Sequence, residues 1–318
     1  MAENNTKEPL VSVGILSYNS SKTILETLES VKAQTYKNIE LIISDDASKD
    51  NTVEVCRKWI EENKARFVRC EILTVPENTG IPANANRRIA ASRGVWSKGV
   101  AADDILAPDC IENFVNYVNE NLQAEIVFAK FQEFKDVFDK KNFLLVKDCR
   151  AKWFCESLDT PQKQFKKLLG NYYCHACTMF AKLDLLKRIK YDEEFKGIED
   201  YPMWLRLTKS GVRFHFMDSV VVYYRHSSSS ISGHNGSLGR FLSFWLKMEP
   251  FKAKYIYPEK SAFYRFMRRA RRCQVALLKK AGLINPDNSR GRDAVLAFFY
   301  YLMSPHLVLK KIIGKFRS

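Results

Sequence analysis

The chain opens with short apolar runs that alternate with helical stripes. Leu10 to Leu16 is a brief apolar run, suited to a strand buried on both faces. Ser17-Tyr18-Asn19-Ser20-Ser21 is a polar turn. Ile24, Leu28 and Val31 then fall on one face of a helix from about Lys22 to Gln34. The pattern repeats three times. Ile39 to Ser44 reads as a strand, Asp45 to Thr52 as a cluster of turn and cap residues, and Val53 to about Lys64 as a helix. Cys70 to Val75, the turn Asn78-Thr79-Gly80 and a helix Ala83 to Arg93 follow. A fourth strand, Val95 to Ala102, ends on the adjacent carboxylates Asp103 and Asp104. Asp109 stands where it can cap a helix carrying Ile111, Val115 and Val118.

This alternation specifies an α/β fold: a Rossmann-like, mostly parallel sheet flanked by helices, with right-handed crossovers. Each polar cluster falls at the C-terminal end of a strand. Tyr18, Asp46, Gly80 and Asp104 should therefore line one rim of the sheet, where such folds bind ligands. Further strands are expected at Ala124 to Glu133, Phe143 to Val146 and Tyr172 to Ala181. A helix is expected at Met203 to Ser210, and a strand pair or one long broken strand at Val212 to Tyr224. Arg225 to Gly236 is a Ser- and Gly-rich loop.

Composition adds the compartment and the partners. Hydrophobic residues make up 46% of the 318, which fits a globular chain and excludes wholesale disorder. The polar N-terminus carries no signal-peptide pattern, and the eight cysteines are scattered, so a cytosolic protein with free thiols is expected. Cys174 and Cys177 have Cys-x-x-Cys spacing but no second pair to complete a zinc site; they read as small apolar residues. The net charge of +15 is uneven, with thirteen Lys or Arg against two Asp from Ser261 onward. A basic end on a nearly balanced body calls for an anionic partner, a membrane surface or nucleic acid.

Two adjacent carboxylates at the end of a strand suit a hard divalent cation, Mn²⁺ or Mg²⁺, shared with substrate phosphates. The ordered motifs extend that reading. VSVGILSYNS, IELIISDDASKDNT, NTGIPANANRRIAASRG, AADDILAPD and IEDYPMWLRL occur in this sequence order. Over roughly residues 10–232 the chain resembles the family-two inverting glycosyltransferases, whose catalytic domain has the type A nucleotide-diphospho-sugar transferase fold. The resemblance implies a metal-dependent hexosyltransferase. It implies that Ser17, Tyr18 and Asn19 form the first nucleotide loop, with Tyr18 against the base, and that Asp46 accepts a base N–H. Gly80 and Asn86 belong to the third nucleotide motif, where the usual Arg-Asn is Ala85-Asn86 with Arg87 and Arg88 one step later. Asp103 lies nearer the ribose, Asp104 holds the metal, and His226 stands where some members carry a third metal ligand. Asp200, beside Glu199, matches the general base.

The expected division is a catalytic domain over 1–240, with a nucleotide-binding half at about 10–110 and an acceptor half at about 111–240. A basic amphipathic helical tail covers 241–318. In that tail Phe263, Phe266, Met267, Ala270 and Leu277 recur at helical spacing, and Arg265, Arg268, Arg269, Arg271, Arg272, Lys279 and Lys280 lie largely off the stripe. The apolar run Ala294 to Met303 is too short to span a bilayer. The expected partners are a nucleotide-sugar donor, read as a UDP-sugar, a glycan or lipid-linked acceptor, and an anionic membrane surface. The expected location is cytoplasmic, peripheral on the membrane face. The competing reading is a basic nucleic-acid- or membrane-binding protein without transferase activity. Against nucleic acid, no recognition motif is present and the acidic rim would repel phosphates without a metal. A nucleotidylyltransferase would need a Gly- and Arg-rich first loop, which Ser17 to Ser21 is not.

Overall fold

A computed structural model describes residues 8–147, 149–226 and 248–280. The chain divides into two compact units, 1–230 and 231–318. In the first, β1 (Val11–Ser17) and β2 (Ile39–Asp45) are almost wholly buried. They pair in parallel, Val11 opposite Ile39. β3 (Arg69–Leu73) adds to the far side of β2, and β4 (Trp96–Ala101) to the far side of β1, both parallel. The strand order reverses between β1 and β4. The C-terminal ends of those two strands, at Ser17 and Ala101, flank the crevice where an open α/β sheet accepts a ligand.

Beyond β4 the sheet becomes mixed. Among the described residues it has nine strands, in the order β3-β2-β1-β4-β8-β6-β9-β5, with β7 paired to β6. β5 is Ile105–Leu106, β6 Ile126–Lys135, β7 Phe143–Lys147, β8 Phe180–Lys182 and β9 Phe214–His226. β8 runs antiparallel to both β4 and β6, and β9 runs parallel to β6 with register shifts at Lys130. β9 is thus the single long broken strand of the two options the sequence left open. The helices are α1 (Ile24–Lys32), α2 (Thr52–Asn63), α3 (Ile81–Ala91), α4 (Cys110–Glu120), α5 (Cys149–Ser157), α6 (Pro161–Leu168), α7 (Leu183–Ile189) and α8 (Asp200–Lys209). Asp109 precedes α4, but its side chain makes no capping hydrogen bond, contrary to expectation.

The core follows the apolar stripes. Val13 and Ile15 of β1 pack with Leu28 and Val31 of α1 and with Ile111, Phe114 and Val115 of α4. Trp96, Phe180 and Phe114 stack in series, with ring centroids 5.0 and 4.7 Å apart. Gly14 is glycine for a steric reason: a Cβ there would lie 2.0 Å from Cδ of Arg88. Arg88 is itself buried, and its Nη1 donates to Ser97 Oγ over 2.9 Å.

The stretch Tyr172 to Ala181 is not the strand its composition suggested. Only Phe180–Lys182 joins the sheet, after a single 3₁₀ turn at Ala176–Thr178. Side chains take the carbonyls that a ladder would have used. Trp204 Nε1 donates to Cys174 O over 2.9 Å and Lys98 Nζ to Cys177 O over 2.5 Å. Cys174 and Cys177 are free thiols.

In the second unit the described residues include α9 (Ala262–Lys280). Phe263, Phe266 and Leu277 of the amphipathic stripe are exposed. The Ser- and Gly-rich loop beyond His226 and the apolar run Ala294 to Met303 lie outside the described residues. Among the described residues no helix is long and apolar enough to cross a membrane.

Candidate active site

Two loops at the ends of β1 and β2 are knitted together. Asn19 adopts φ 50°, a left-handed conformation that Asn tolerates better than most residues. Its backbone N–H donates to Ser48 Oγ over 2.8 Å, and its Oδ1 accepts from Lys49 N over 2.7 Å. Ser17 Oγ donates to Asp45 Oδ2 over 2.9 Å, and Ser20 N to Thr52 Oγ1 over 2.8 Å. Between these fixed points the Tyr18 ring is left exposed. An exposed ring on a braced loop can stack on a planar base.

Asp46 is buried beside this loop, and its oxygens are fully engaged. They accept from Thr79 Oγ1 at 2.6 Å, Thr79 N at 3.1 Å, Gly80 N at 2.7 Å and Arg87 Nη2 at 3.0 Å. Burial pushes this carboxyl up, but those donors outweigh it and hold the acid below its ordinary value. With about four lone-pair sites, the carboxylate is matched by these four donors and braces Thr79, Gly80 and Arg87. Gly80 is suited to this by its φ of 92°.

Asn86 also makes contacts within the chain. Its amide donates to Tyr191 O and Glu193 Oε1, and its Oδ1 accepts from Tyr191 N over 2.8 Å. It clasps residues 191–193. The neighbouring Arg87 turns to the nucleotide loops, with Nε on Ser44 Oγ and Nη2 on Asp46 and Asn84. One residue along α3 is a rotation of about 100°, enough to separate the two roles.

The acidic pair at the end of β4 is split by burial. Asp103 is exposed, while Asp104 is 2% exposed. Asp104 Oδ1 accepts from Arg225 N over 3.0 Å, and its own carbonyl accepts from Thr27 Oγ1 over 2.7 Å. Burial pushes the Asp104 carboxyl up to about 8, and the like charge of Asp103 adds to this; Arg225 and Lys98 pull the other way. Lys98 is fully buried, and burial holds its ammonium below the ordinary value.

Asp200 begins α8, with Glu199 at the N-cap position. Tyr172 Oη donates to Asp200 Oδ2 over 3.4 Å. Burial lifts Asp200 to about 8, with the Glu199 charge as second cause, while the Tyr172 hydrogen bond lowers it. Glu199 Oε2 is buried without a hydrogen-bond partner among the described residues. Burial raises this acid too. Trp204 and Tyr201 are structural: Trp204 is fully buried, and Tyr201 Oη donates to Leu168 O.

The thiol of Cys177 registers these charges. After burial, the charge of Asp104 pushes it up and that of Lys98 pulls it down, and Asp200 and Glu133 add smaller upward pushes. An aromatic line leads away from that point. Tyr172 meets His175, His175 meets Phe131 at 4.9 Å, Phe131 meets Tyr224, and Tyr224 meets His226 at 5.2 Å. His226 Nε2 lies 3.2 Å from Glu133 Oε1, so its structural partner is Glu133 rather than the acidic pair. Among the described residues no group of three or more His, Cys, Asp and Glu side chains is placed to hold a metal. Asp103 and Asp104 alone still fit Mn²⁺ or Mg²⁺, because such cations commonly take one or two carboxylates and complete their shell with substrate phosphates and water.

A mixed sheet curled between helices, with a nucleotide crevice at the strand reversal and an acidic pair at the end of β4, defines a nucleotide-sugar transferase of the type A class. The family model described as Glycosyl transferase family 2 matches residues 12–189, more than half of the chain, and the chain belongs to that family. Among curated relatives it is 29% identical over 225 residues to an uncharacterized glycosyltransferase of Rickettsia typhi, covering 70% of this chain and 64% of that one. It is also 29% identical over 229 residues to the UDP-Glc:alpha-D-GlcNAc-diphosphoundecaprenol beta-1,3-glucosyltransferase WfaP of Escherichia coli, covering 71% of this chain and 80% of that one. Chondroitin synthase of Escherichia coli is 27% identical over 203 residues, 64% of this chain and 27% of that enzyme. Among solved structures, S. aureus TarS 1-349 in complex with UDP-GlcNAc superimposes with a TM-score of 0.58 at 18% identity, over 83% of this chain and 72% of that one. That likeness concerns the fold.

Proposed function

We propose that the chain moves a hexose from a UDP-sugar to a hydroxyl of a lipid-linked or cell-surface polysaccharide acceptor, with inversion at the anomeric carbon. The observation that carries this reading is the acidic pair at the turn after β4, beside the crevice at the strand reversal, together with Asp200 at the start of α8. Tyr18 stacks on the base, and Asp46 shapes its pocket through Thr79, Gly80 and Arg87. Asp103 and Asp104 would hold Mn²⁺ or Mg²⁺, which takes up charge developing on the leaving diphosphate. Asp200 accepts the proton of the acceptor hydroxyl as its oxygen bonds the anomeric carbon. The bond from that carbon to the diphosphate oxygen breaks on the opposite face, and UDP departs. Tyr172 holds the Asp200 carboxylate in orientation.

The names of WfaP and chondroitin synthase support a glycan or lipid-linked acceptor. The exposed Phe263, Phe266 and Leu277 on a helix that also carries Arg265, Arg268 and Arg269 support contact with an anionic lipid surface, peripheral on the cytoplasmic face. The test is a donor screen of the purified chain with Mn²⁺, reading nucleotide-diphosphate release and product configuration by NMR. UDP-sugars should turn over fastest, and EDTA should stop them. Release from no nucleotide sugar, with or without a polyprenyl-diphosphate acceptor, counts against the reading.

A further inference from the structure

The hairpin of β6 and β7 forms, with β9, a groove of about 500 Å³ lined by Gln132, Phe134, Phe138, Lys140, Phe143 and Tyr223, with Asp139 at its edge. That size is within the usual range for small-molecule sites. Phe134 packs on Tyr223, whereas Phe131 packs on Tyr224 and Glu133 lies beside His226, so the groove lining and that second set fall on different faces of the sheet. The groove is therefore separate from the aromatic line that leads to Asp200.

Its walls are aromatic and its floor is fixed. Phe134 is buried, and three rings stand edge-on around it: Phe138 at 5.6 Å, Phe143 at 5.8 Å and Tyr223 at 5.8 Å. The Arg225 guanidinium lies 4.3 Å from the centre of the Phe138 ring, and its Nε donates to Asp103 O over 2.9 Å. One guanidinium thus joins the groove wall to the turn that ends β4.

Its polar groups are open to a ligand. The half-buried Gln132 amide and Tyr223 hydroxyl and the exposed Lys140 ammonium line the groove, and none of them has a protein hydrogen-bond partner among the described residues. An apolar chain laid in the groove would strip water from the Gln132 amide and the Tyr223 hydroxyl and give nothing back, at about 1–3 kcal/mol for each one left buried and unpaired. A phosphate would meet one cation, with Asp139 beside it. A pyranose offers what the lining asks for: an apolar face of C–H groups for the rings and hydroxyl oxygens for the donors.

We infer that this groove is a saccharide-binding subsite that holds a sugar unit of the glycan away from the reacting hydroxyl. The inference rests on the glycosyltransferase reading for the source of its ligand, but its binding test stands apart from catalysis. The full chain is titrated with cellobiose, chitobiose and an unsulfated chondroitin tetrasaccharide, and saturation transfer from protein to sugar is read by NMR. UDP is titrated in parallel as a control on folding and on the donor site. At least one saccharide should take up saturation. Gln132→Ala combined with Phe143→Ala should weaken it about tenfold, and Tyr223→Phe about threefold, as expected for lost stacking and hydrogen bonds. UDP affinity should stay unchanged in both variants. The inference is overturned if none of the three sugars binds, if both variants bind them as well as the parent, or if decanol displaces them. Failure of UDP to bind the parent chain would refute the UDP-sugar donor instead, while the sugar titration still judges the groove.

Discussion

The backbone N–H of Arg225 donates to Oδ1 of Asp104 over 3.0 Å, joining residues 121 apart in the chain. Its Nε takes the Asp103 carbonyl, and Nη2 reaches Glu26 Oε2 over 2.7 Å. The end of β9 is therefore tied to the turn after β4 and to the first turn of α1. The arrangement keeps Asp104 inside and presents Asp103 to solvent.

Asp104→Asn keeps the volume and the Arg225 contact while removing the charge. The expected result is loss of transfer by about 10³-fold, with Mn²⁺ binding weakened by at least about tenfold and thermal unfolding little changed. Calorimetric titration with Mn²⁺ and UDP checks it; unaltered metal binding and turnover would remove Asp104 from the cation site.

The Asp200 carboxyl must be ionised to take a proton, and it is lifted to about 8. Turnover should therefore rise with pH and level off above about 8. Glu199→Gln removes the like charge and should move that rise to lower pH, while Tyr172→Phe removes a hydrogen bond that favours the ion and should move it higher. Asp200→Asn should lose about 10²- to 10⁴-fold in kcat with UDP affinity intact. Stability gives an independent sign. The unfolded acid ionises in the ordinary carboxylate range and the folded one near 8, so folding weakens as pH rises between those values. At pH 8.5 the Asn variant should melt above the parent; a lower Tm there would contradict the lifted acid.

Asp46→Ala releases Thr79, Gly80 and Arg87 together. The donor KM should rise about tenfold or more while kcat falls less, because a misshapen base pocket weakens binding before chemistry. A UDP titration decides: unchanged affinity would mean that the brace does not shape the nucleotide site.

Gly14→Ala places a methyl against Arg88 Cδ in a buried layer. Destabilisation of about 1–3 kcal/mol is expected, as for an overpacked core. Adding Arg88→Met should recover part of it, and urea denaturation of the single and double variants measures the coupling.

The strands β1 and β2 were legible because a strand buried on both faces must be an apolar run, and each such run here is bounded by turn residues. Leu10 to Leu16 became Val11–Ser17, and Ile39 to Ser44 became Ile39–Asp45. The acids at the strand ends were legible for the same reason, since polar clusters mark where a chain leaves the sheet. Tyr172, the hydroxyl partner of Asp200, carried no local signal: it is one aromatic residue in a stretch that looked like a strand.

Composition and periodicity therefore determined the alternation of strands and helices, the rim on which the polar turns gather, and the family motifs. Tertiary structure alone decided which member of each adjacent pair does what. Asp103 and Asp104 are chemically identical neighbours, and only Arg225, Thr27 and Lys98 make one buried and the other exposed. Asn86 and Arg87 sit side by side on α3, yet one clasps Tyr191 and the other Asp46. The stretch Tyr172 to Ala181 has strand-like composition, but Trp204 and Lys98 take its carbonyls from far along the chain. Local pattern reports how a backbone segment meets water and its own neighbours. It carries no record of the distant donor that will fill a given acceptor or of the packing that will bury it, and in this site distant donors brace Asp46 and tie Asp104 while burial lifts Asp104 and Asp200.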